Sequence, residues 1–139
     1  YRVKVVGNDA VLVASAKKTK DYSRANFERY LQTIMYYAGS ASLYRDMQSV
    51  RGLPEIGDAL IIPGFPGHVV IVMDKKVVNK TNYYLFANSW IPAQDIEIIS
   101  GNNPAKKNLG NYTPIRSVKD KINVNGYNFI VYKHLRRWK

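Results

Sequence analysis

Two apolar segments near the middle of the chain carry the residues whose chemistry stands out. His68, one of two histidines, opens the segment 69–73, and Asn88 follows the segment 83–87. Both segments are short, rich in β-branched or aromatic residues and bounded by Gly, Pro or Asn, which predicts two β-strands. Because the connection Asn79–Asn82 is polar, we expect an antiparallel hairpin in which the start of the first strand lies beside the end of the second.

That hairpin would bring His68 and Asn88 into contact. A side-chain amide oxygen beside an imidazole fixes the ring tautomer and leaves the other ring nitrogen to face a nucleophile. We therefore predict that both residues are catalytic, with His68 as the base and Asn88 as its orienting partner. Two simpler interpretations stay open: a histidine on an apolar strand is often structural, and Trp90 could be an ordinary core aromatic.

A histidine that opens a strand, followed by a strand that ends in Asn88-Ser89-Trp90, resembles the papain-type cysteine peptidases. In those enzymes the asparagine orients the histidine and the tryptophan covers their hydrogen bond, so the resemblance makes Trp90 a supporting residue. The glutamine that donates to the oxyanion there precedes the catalytic cysteine. Gln94 is accordingly expected to support the site or to face the substrate.

The turn at Gly57-Asp58, the apolar strand Ala59–Ile62 and Gly67 before His68 also resemble the NlpC-type cell-wall peptidases, a compact branch of the same fold. This resemblance adds Gly67 and Asp58 to the supporting residues. It also implies a location in the cell envelope or periplasm, about which composition says nothing.

Nearly the whole chain is similar to an uncharacterised bacterial family, domain of unknown function 4846. The family usually has Gln-Ser-Tyr at positions 88–90, so this chain departs from it toward papain. The resemblance places the family's nucleophile, a cysteine that opens a helix, upstream of the matching region. The shared pattern consists of Tyr1-Arg2, Phe27 with Tyr30-Leu31, Tyr37-Ala38-Gly39 with Ser42-Leu43, Gly57-Asp58, Pro66-Gly67-His68 with Asp74, and Pro92-Ala93-Gln94.

Composition limits the chemistry of these 139 residues. They contain no cysteine, which excludes a disulfide or a thiolate metal site within them. The two histidines are too far apart in sequence to give a typical zinc-ligand spacing, so we predict neither a metal nor another cofactor. The segment Tyr1–Val5 begins in the middle of a strand pattern, and we expect either a single domain or a C-terminal half-domain that lacks the nucleophile-bearing helix.

The charge balance favours anionic partners. Twenty-one Lys and Arg against ten Asp and Glu give a formal net charge of +11. Acidic envelope polymers and nucleic acid would both be attracted by such a surface. The basic residues are scattered along the chain, which is typical of a solvated surface. No apolar run approaches the roughly 20 residues of a membrane-spanning helix, so we predict no membrane span.

The first fifty residues predict a hairpin and two helices. Arg2–Val6 and Ala10–Ala14 alternate in hydropathy around a turn at 7–9. Ser23 is placed to cap a helix, and Ser40 could cap a second one at 41–50; serine in that position is more often a cap than a nucleophile. The apolar stripe of the first helix is expected to face a core, and its members are Phe27, Leu31, Ile34, Met35 and Ala38.

The C-terminal third predicts further strands. Lys121–Val124 and Tyr127–Tyr132 flank Asn125-Gly126, the strongest short hairpin signal in the chain. His134 lies in a basic tail, where we expect it to be solvated. With the helices upstream, this pattern predicts an α+β fold: a helix pair followed by a mostly antiparallel sheet, as in the C-terminal half of a papain-like, NlpC-type domain.

Function follows from the predicted site and the resemblance. We expect the C-terminal part of a cysteine peptidase or amidase-like protein that acts on peptide or peptidoglycan amide bonds. Its thiolate would come from the N-terminal part of the same protein or from another chain, and the face of His68 away from Asn88 should then be a broad apolar surface or be covered by a second chain. The alternative is a non-catalytic basic module that binds an envelope polymer or nucleic acid and retains the fold.

Overall fold

The computed structural model describes residues 2–6, 9–13, 21–90, 95–99, 109–124 and 126–138. The chain divides into two units, Tyr1–Gly39 and Ser40–Lys139. The first unit holds β1 (Arg2–Val6) and β2 (Asp9–Val13), which pair antiparallel, and α1 (Arg24–Tyr37). The predicted hairpin and the first predicted helix are thus both present.

Helix α1 begins as the sequence predicts, but three residues of its apolar stripe are exposed. Ser23 caps it, with the side-chain oxygen accepting a hydrogen bond from the Asn26 backbone N–H at 3.3 Å. Phe27, Leu31 and Ile34 are 57%, 39% and 38% exposed. The expectation that they face a core is wrong for these three residues. Helical periodicity is a local property, whereas burial needs a second layer over the stripe.

The second unit contains most of the secondary structure. In chain order its elements are α2 (Ser40–Asp46), β3 (Gln48–Ser49), β4 (Ala59–Ile62), β5 (His68–Val78), β6 (Thr81–Asn88), β7 (Glu97–Ile98), β8 (Thr113–Ile115), β9 (Lys121–Val124), β10 (Tyr127–Ile130), α3 (Val131–His134) and β11 (Leu135–Arg137). Helix α2 is shorter than the predicted span 41–50, because the chain turns into β3.

One antiparallel sheet organises this unit. Its strands follow the order β3-β11-β4-β5-β6-β7, and β8 also pairs with β6. Strands β9 and β10 form a separate antiparallel hairpin. An α+β fold with few helices and a mostly antiparallel sheet is therefore confirmed, whereas a papain-like relationship stays a prediction.

The central hairpin β5–β6 is tighter than predicted. Its turn consists of Asn79 and Lys80 alone, and Thr81 and Asn82 already belong to β6. Both turn residues have positive φ, 48° and 61°. Two successive residues of this kind form the turn whose twist matches that of paired strands, which brings the distant ends of β5 and β6 side by side.

The two faces of the sheet are covered by different elements. Leu60 and Val70, which are register partners, face the β9–β10 hairpin and pack with its Phe129. Their neighbours Ile61 and Val69 face the other way, in a smaller cluster with residues of α2. Because successive strand residues alternate between faces, α2 and the β9–β10 hairpin lie on opposite sides of the sheet.

The C-terminal segment differs most from its prediction. Strand β10 ends at Ile130, and α3 leads into β11, which is inserted between β3 and β4. His134 is buried, and its Nδ1 accepts a hydrogen bond from the Ile130 backbone N–H at 2.8 Å, so the expectation of a solvated histidine is wrong. A short basic tail carries no local sign of sheet pairing, because its partners are distant in sequence.

Within the described ranges, no helix has both the length and the apolar character needed to cross a membrane.

Candidate functional site

The hairpin register brings His68 and Asn88 together. His68 is the first residue of β5, and Asn88 is the last of β6. Ile71 pairs with Ala87, which places Asn88 across from Val70, on the face that His68 shares. Asn88 Nδ2 lies 3.2 Å from His68 Nε2, and both residues are buried. The predicted contact is confirmed, and its catalytic role stays a prediction.

The amide presents its nitrogen to the ring, whereas the sequence interpretation expected its oxygen. With Asn88 Nδ2 donating to Nε2, the proton of the neutral His68 ring is on Nδ1. Asn88 Oδ1 is buried and has no hydrogen-bond partner among the described residues. An unpaired buried acceptor costs about 1–3 kcal/mol. A half-turn of the amide would let Oδ1 accept from Nε2–H, which is the arrangement that an imidazolium requires.

Burial affects the protonation of His68. Only 7% of the residue is exposed. Because burial disfavours the charged ring, the pKa of His68 is below its usual value of 6.5. The ring is therefore neutral at pH 7 and can accept a proton, and a nearby anion would be needed to hold it as an imidazolium.

Three aromatic side chains of the described residues lie near the His68 ring, and Trp90 and Tyr127 are nearer to it than Phe129. Trp90 lies 5.5 Å from it between centroids, and the indole Nε1 donates to Glu97 at 2.5 Å. Tyr127 stacks on it, with a centroid distance of 3.9 Å and an interplanar angle of 4°. Trp90 therefore lies beside His68, and its supporting role stays a prediction.

Sequence reasoning missed Tyr127. The Asn125-Gly126 signal correctly located a hairpin, but no local pattern tells which face of the sheet that hairpin covers. Because Tyr127 belongs to this chain, the expectation that the ring face is bare or covered by a second chain is wrong. One buried polar atom of the site is nevertheless unsatisfied, since Asn88 Oδ1 has no partner in the described part of the chain.

Gly67 lets the loop before His68 pack against α2. A Cβ built on Gly67 would lie 1.8 Å from Ser40 Oγ, 2.7 Å from Gly64 O and 2.8 Å from Ile62 O. Ser40 Oγ donates to Gly64 O at 3.1 Å, which ties this loop to the helix. Successive residues of an extended segment point to opposite sides, so His68 points away from Ser40. This arrangement argues against Ser40 as the nucleophile for His68.

Asp58 lies away from the histidine. It precedes Ala59, which pairs with Ile71, whereas His68 pairs with Ile62 at the other end of β4. The Asp58 carboxylate is buried and accepts from Arg137 Nε at 2.6 Å and Nη2 at 2.7 Å. These bonds hold β11 to the start of β4. Gln94 lies outside the described residues.

The described residues contain no group of three or more His, Cys, Asp or Glu placed to hold a metal ion. His68 is an imidazole oriented by an amide and enclosed by aromatic rings. In the observed arrangement the neutral ring can donate through Nδ1–H, and it can accept a proton at Nδ1 once a half-turn of the amide lets Oδ1 accept from Nε2–H.

Comparison with protein families finds a model that covers nearly the whole chain. The model of the family domain of unknown function 4846 matches residues 1–137. The chain belongs to this family. No curated protein and no solved structure matches the chain significantly. None of these comparisons supports the resemblance to papain-like or NlpC-type enzymes. For this member of domain of unknown function 4846, that relationship stays a prediction.

Proposed function

We propose that this chain is the histidine-bearing, C-terminal part of a cysteine peptidase or amidase-like protein that cleaves amide bonds in peptides or peptidoglycan. His68 is the base of the reaction, and Asn88 is its orienting residue. The observation that carries the proposal is the 3.2 Å contact between Asn88 Nδ2 and His68 Nε2 at the ends of adjacent strands. This contact leaves Nδ1 as the ring nitrogen available to a nucleophile.

The proposed reaction proceeds through a thioester. A thiolate paired with the His68 imidazolium attacks the carbonyl carbon of the scissile amide. As the carbon–nitrogen bond breaks, His68 gives its proton to the leaving amine, and the acyl group remains on sulfur. The ring then takes a proton from the water that attacks the thioester, so the thiolate and the imidazolium are both restored.

Asn88 has a defined part in this cycle. In the structure the ring accepts from Asn88 Nδ2 through Nε2, which leaves its proton on Nδ1. In the cycle Nδ1 gives up a proton and takes one back, so Nε2 stays protonated in both the imidazolium and the neutral ring and requires Asn88 Oδ1 as its acceptor. A half-turn of the amide from its observed orientation provides that acceptor and gives the buried Oδ1 a hydrogen bond. The ion pair with the thiolate would therefore be stabilised by the amide as well as by charge.

The nucleophile must come from outside these 139 residues, which contain no cysteine. We assign it to the N-terminal part of the same protein or to another chain, with a location in the cell envelope or periplasm. Ser40 is an unsuitable substitute, because Gly67 separates it from His68 and the His68 side chain points to the opposite face.

Hydrolysis assays on peptide and muropeptide substrates test the proposal. The 139-residue chain alone should be inactive, and a longer product of the same gene that includes the cysteine should cleave. His68→Ala should abolish that cleavage, whereas His134→Gln, in which the amide oxygen can still accept from Ile130, should retain it. Cleavage by the longer protein that survives His68→Ala would overturn the proposal, as would a longer protein that folds and cleaves none of these substrates.

A second candidate function is the binding of an acidic polymer without catalysis. The observation that favours it is a cavity of about 400 Å³ lined by Val118, Lys119, Lys121, Ile130 and Tyr132. Neither lysine ammonium forms an ion pair with a described residue, so both are available to an anion. Apolar residues with a few charged groups are typical of a binding pocket.

Salt-dependent binding separates the two candidates. A non-catalytic module should bind a polyanion with an affinity that falls steeply with salt. For duplex DNA, replacing Lys119 and Lys121 by Ala should reduce the slope of log K against log salt by about 0.9 for each phosphate that these lysines neutralise. The matched control is Lys80→Ala in the β5–β6 turn. A slope that is unchanged in the double variant would exclude this cavity as the binding site.

A further inference from the structure

We propose that Tyr127 positions His68, so that the β9–β10 hairpin is an integral part of the site. The catalytic meaning of this inference rests on the proposed function, but the positioning itself can be measured without turnover. The sequence interpretation included no residue of β9 or β10 in the site. The stacked Tyr127 adds a third contributor that is distant in sequence from both strands.

The geometry of the stack supports this role. A centroid distance of 3.9 Å with rings only 4° from parallel places the phenol flat on the imidazole. Rotation of the His68 ring about its side-chain bonds would break this contact and the Asn88 hydrogen bond together. The stack fixes the plane of the ring, and the hydrogen bond fixes which edge faces Asn88. With both in place, the direction of Nδ1 is determined.

The hairpin holds Tyr127 firmly. Tyr127 is the first residue of β10 and pairs with Val124. The turn before it is braced by Asn123, which accepts from the Gly126 backbone N–H at 3.2 Å and donates to Asn128 at 2.9 Å. Gly126 has φ +82°, a left-handed conformation that glycine adopts without strain.

The core anchors the same hairpin to the sheet. Phe129 is fully buried, and its register partner Ile122 is 6% exposed. Phe129 also lies 6.4 Å from the His68 ring between centroids. Because these residues pack in the main core cluster with residues of the sheet, the separate β9–β10 hairpin is held against the sheet, and Tyr127 is held with it.

The chemistry of the contact predicts which substitutions matter. Aromatic stacking needs a flat π-surface, which Phe supplies and Leu does not. Tyr127→Phe should therefore leave His68 unchanged. Tyr127→Leu should remove the stack and admit water to the His68 ring. Because burial lowers the pKa of His68, this added exposure should raise it.

The experiment is a pH titration of the full 139-residue chain with ¹⁵N-labelled histidine, followed by NMR. The chain contains only His68 and His134, so His134 is an internal reference in every sample. In the unsubstituted protein, the ¹⁵N shifts should show one neutral tautomer for His68. Tyr127→Leu should mix the two tautomers and raise the pKa of His68 more than that of His134, and Tyr127→Phe should restore both readouts.

Two further variants separate positioning from a general loss of stability. Ile122→Ala destabilises the same hairpin from its buried side and should leave the His68 tautomer as it is in any folded sample. Asn123→Ala removes the exposed hydrogen bonds that brace the turn. It should change the tautomer mixture and the pKa of His68 in the same direction as Tyr127→Leu, but by less. Should Tyr127→Leu unfold the chain, Asn123→Ala still decides the question.

Two results would overturn the inference. One is an unchanged His68 tautomer and titration in folded Tyr127→Leu or Asn123→Ala. The other is a change of the His68 tautomer and pKa in Ile122→Ala as large as that in Tyr127→Leu. Such a change would indicate that any loosening of the hairpin alters His68. Neither readout depends on hydrolysis, so a failure of the proposed function would leave these results interpretable.

Discussion

The two histidines of this chain are buried to the same extent and held in different ways. Each is 7% exposed, and each lies near Phe129, with centroid distances of 6.4 Å for His68 and 5.9 Å for His134. His134 accepts from a backbone N–H, which can only donate. His68 faces the amide of Asn88, which can donate or accept and whose second polar atom has no partner among the described residues.

This difference separates a structural histidine from a candidate catalytic one. A backbone partner has one polarity and one position, so it fixes the neutral His134 ring with its Nδ1 unprotonated. A side-chain amide can turn over and follow a change in the protonation of His68. Burial alone is therefore a poor guide to function at a histidine, and the identity of its partner is a better one.

The largest effect that we expect from this comparison is on folding. His134→Ala should lower the free energy of unfolding by about 2–4 kcal/mol, because it empties a core site against Phe129 and leaves the Ile130 N–H unpaired. His68→Ala should cost about 1–2 kcal/mol, because water can enter at the end of the sheet and pair with Asn88. Urea unfolding followed by circular dichroism measures both, and a larger loss in His68→Ala would reverse the comparison.

A substitution at Gly67 should disturb the surroundings of His68 and leave those of His134 unchanged. Gly67→Ala should cost about 1–3 kcal/mol, because the new Cβ collides with two backbone carbonyl oxygens as well as with Ser40. The matched control is Gly52→Ala, since a Cβ at Gly52 meets nothing within 4 Å. In Gly67→Ala the NMR signals of His68 should move more than those of His134. Equal stability of the two alanine variants would contradict this prediction.

Asn88 allows function and stability to be separated. Asn88→Leu should change the free energy of unfolding by less than about 1 kcal/mol, because it removes an unpaired buried oxygen together with the hydrogen bond to His68. In the longer, cysteine-containing protein it should still abolish hydrolysis. A loss of stability above about 2 kcal/mol would indicate that the amide is a structural group, as the partner of His134 is.

The smallest effect is the dependence of stability on pH near neutrality. Burial lowers the pKa of His68, and burial together with the charges of Lys133 and Arg136 lowers that of His134. The unfolded chain then binds protons more readily than the folded one. The contribution of both rings is complete above about pH 6.5 and is lost as the pH falls through the folded-state pKa values.

Thermal unfolding of single variants between pH 5 and pH 8 measures this contribution. His134→Gln and His68→Gln should each flatten the curve, and the double variant should flatten it most. If the unfolding temperature falls with pH as steeply in all three variants as in the unsubstituted chain, carboxylates alone set the loss of stability in acid.

Much of the fold could be predicted from local sequence. The alternation in β1 and β2, the cap at Ser23 and the turn residues around Asn79 each act within a few residues, and each prediction was close. The proximity of His68 and Asn88 was also predictable, because a hairpin with a short turn fixes its own register. The polarity of their contact was not, because an amide can face a ring in either orientation.

Other features depend on partners that no local pattern specifies. The burial of His134 and the pairing of Asp58 with Arg137 arise only when the C-terminal segment enters the sheet between β3 and β4. In sequence, that segment is a short basic tail. Helix α1 shows the opposite error: the spacing of Phe27, Leu31 and Ile34 predicted burial, and these residues are exposed. Helical spacing identifies a shared face but does not show that the face is buried.

By itself, the sequence determined the strands that carry His68 and Asn88 and the end of the β5–β6 hairpin at which they meet, since short-range hydrogen bonding and turn geometry govern both. Only the tertiary structure decided that Tyr127 covers the histidine, that α2 lies on the opposite face, and that the second histidine is buried. These contacts join segments that are distant in sequence, and they form because each segment buries its apolar side chains against a face of the sheet. Burial against a common face needs only apolar character in each segment, so the sequence of one does not specify which other segment covers it.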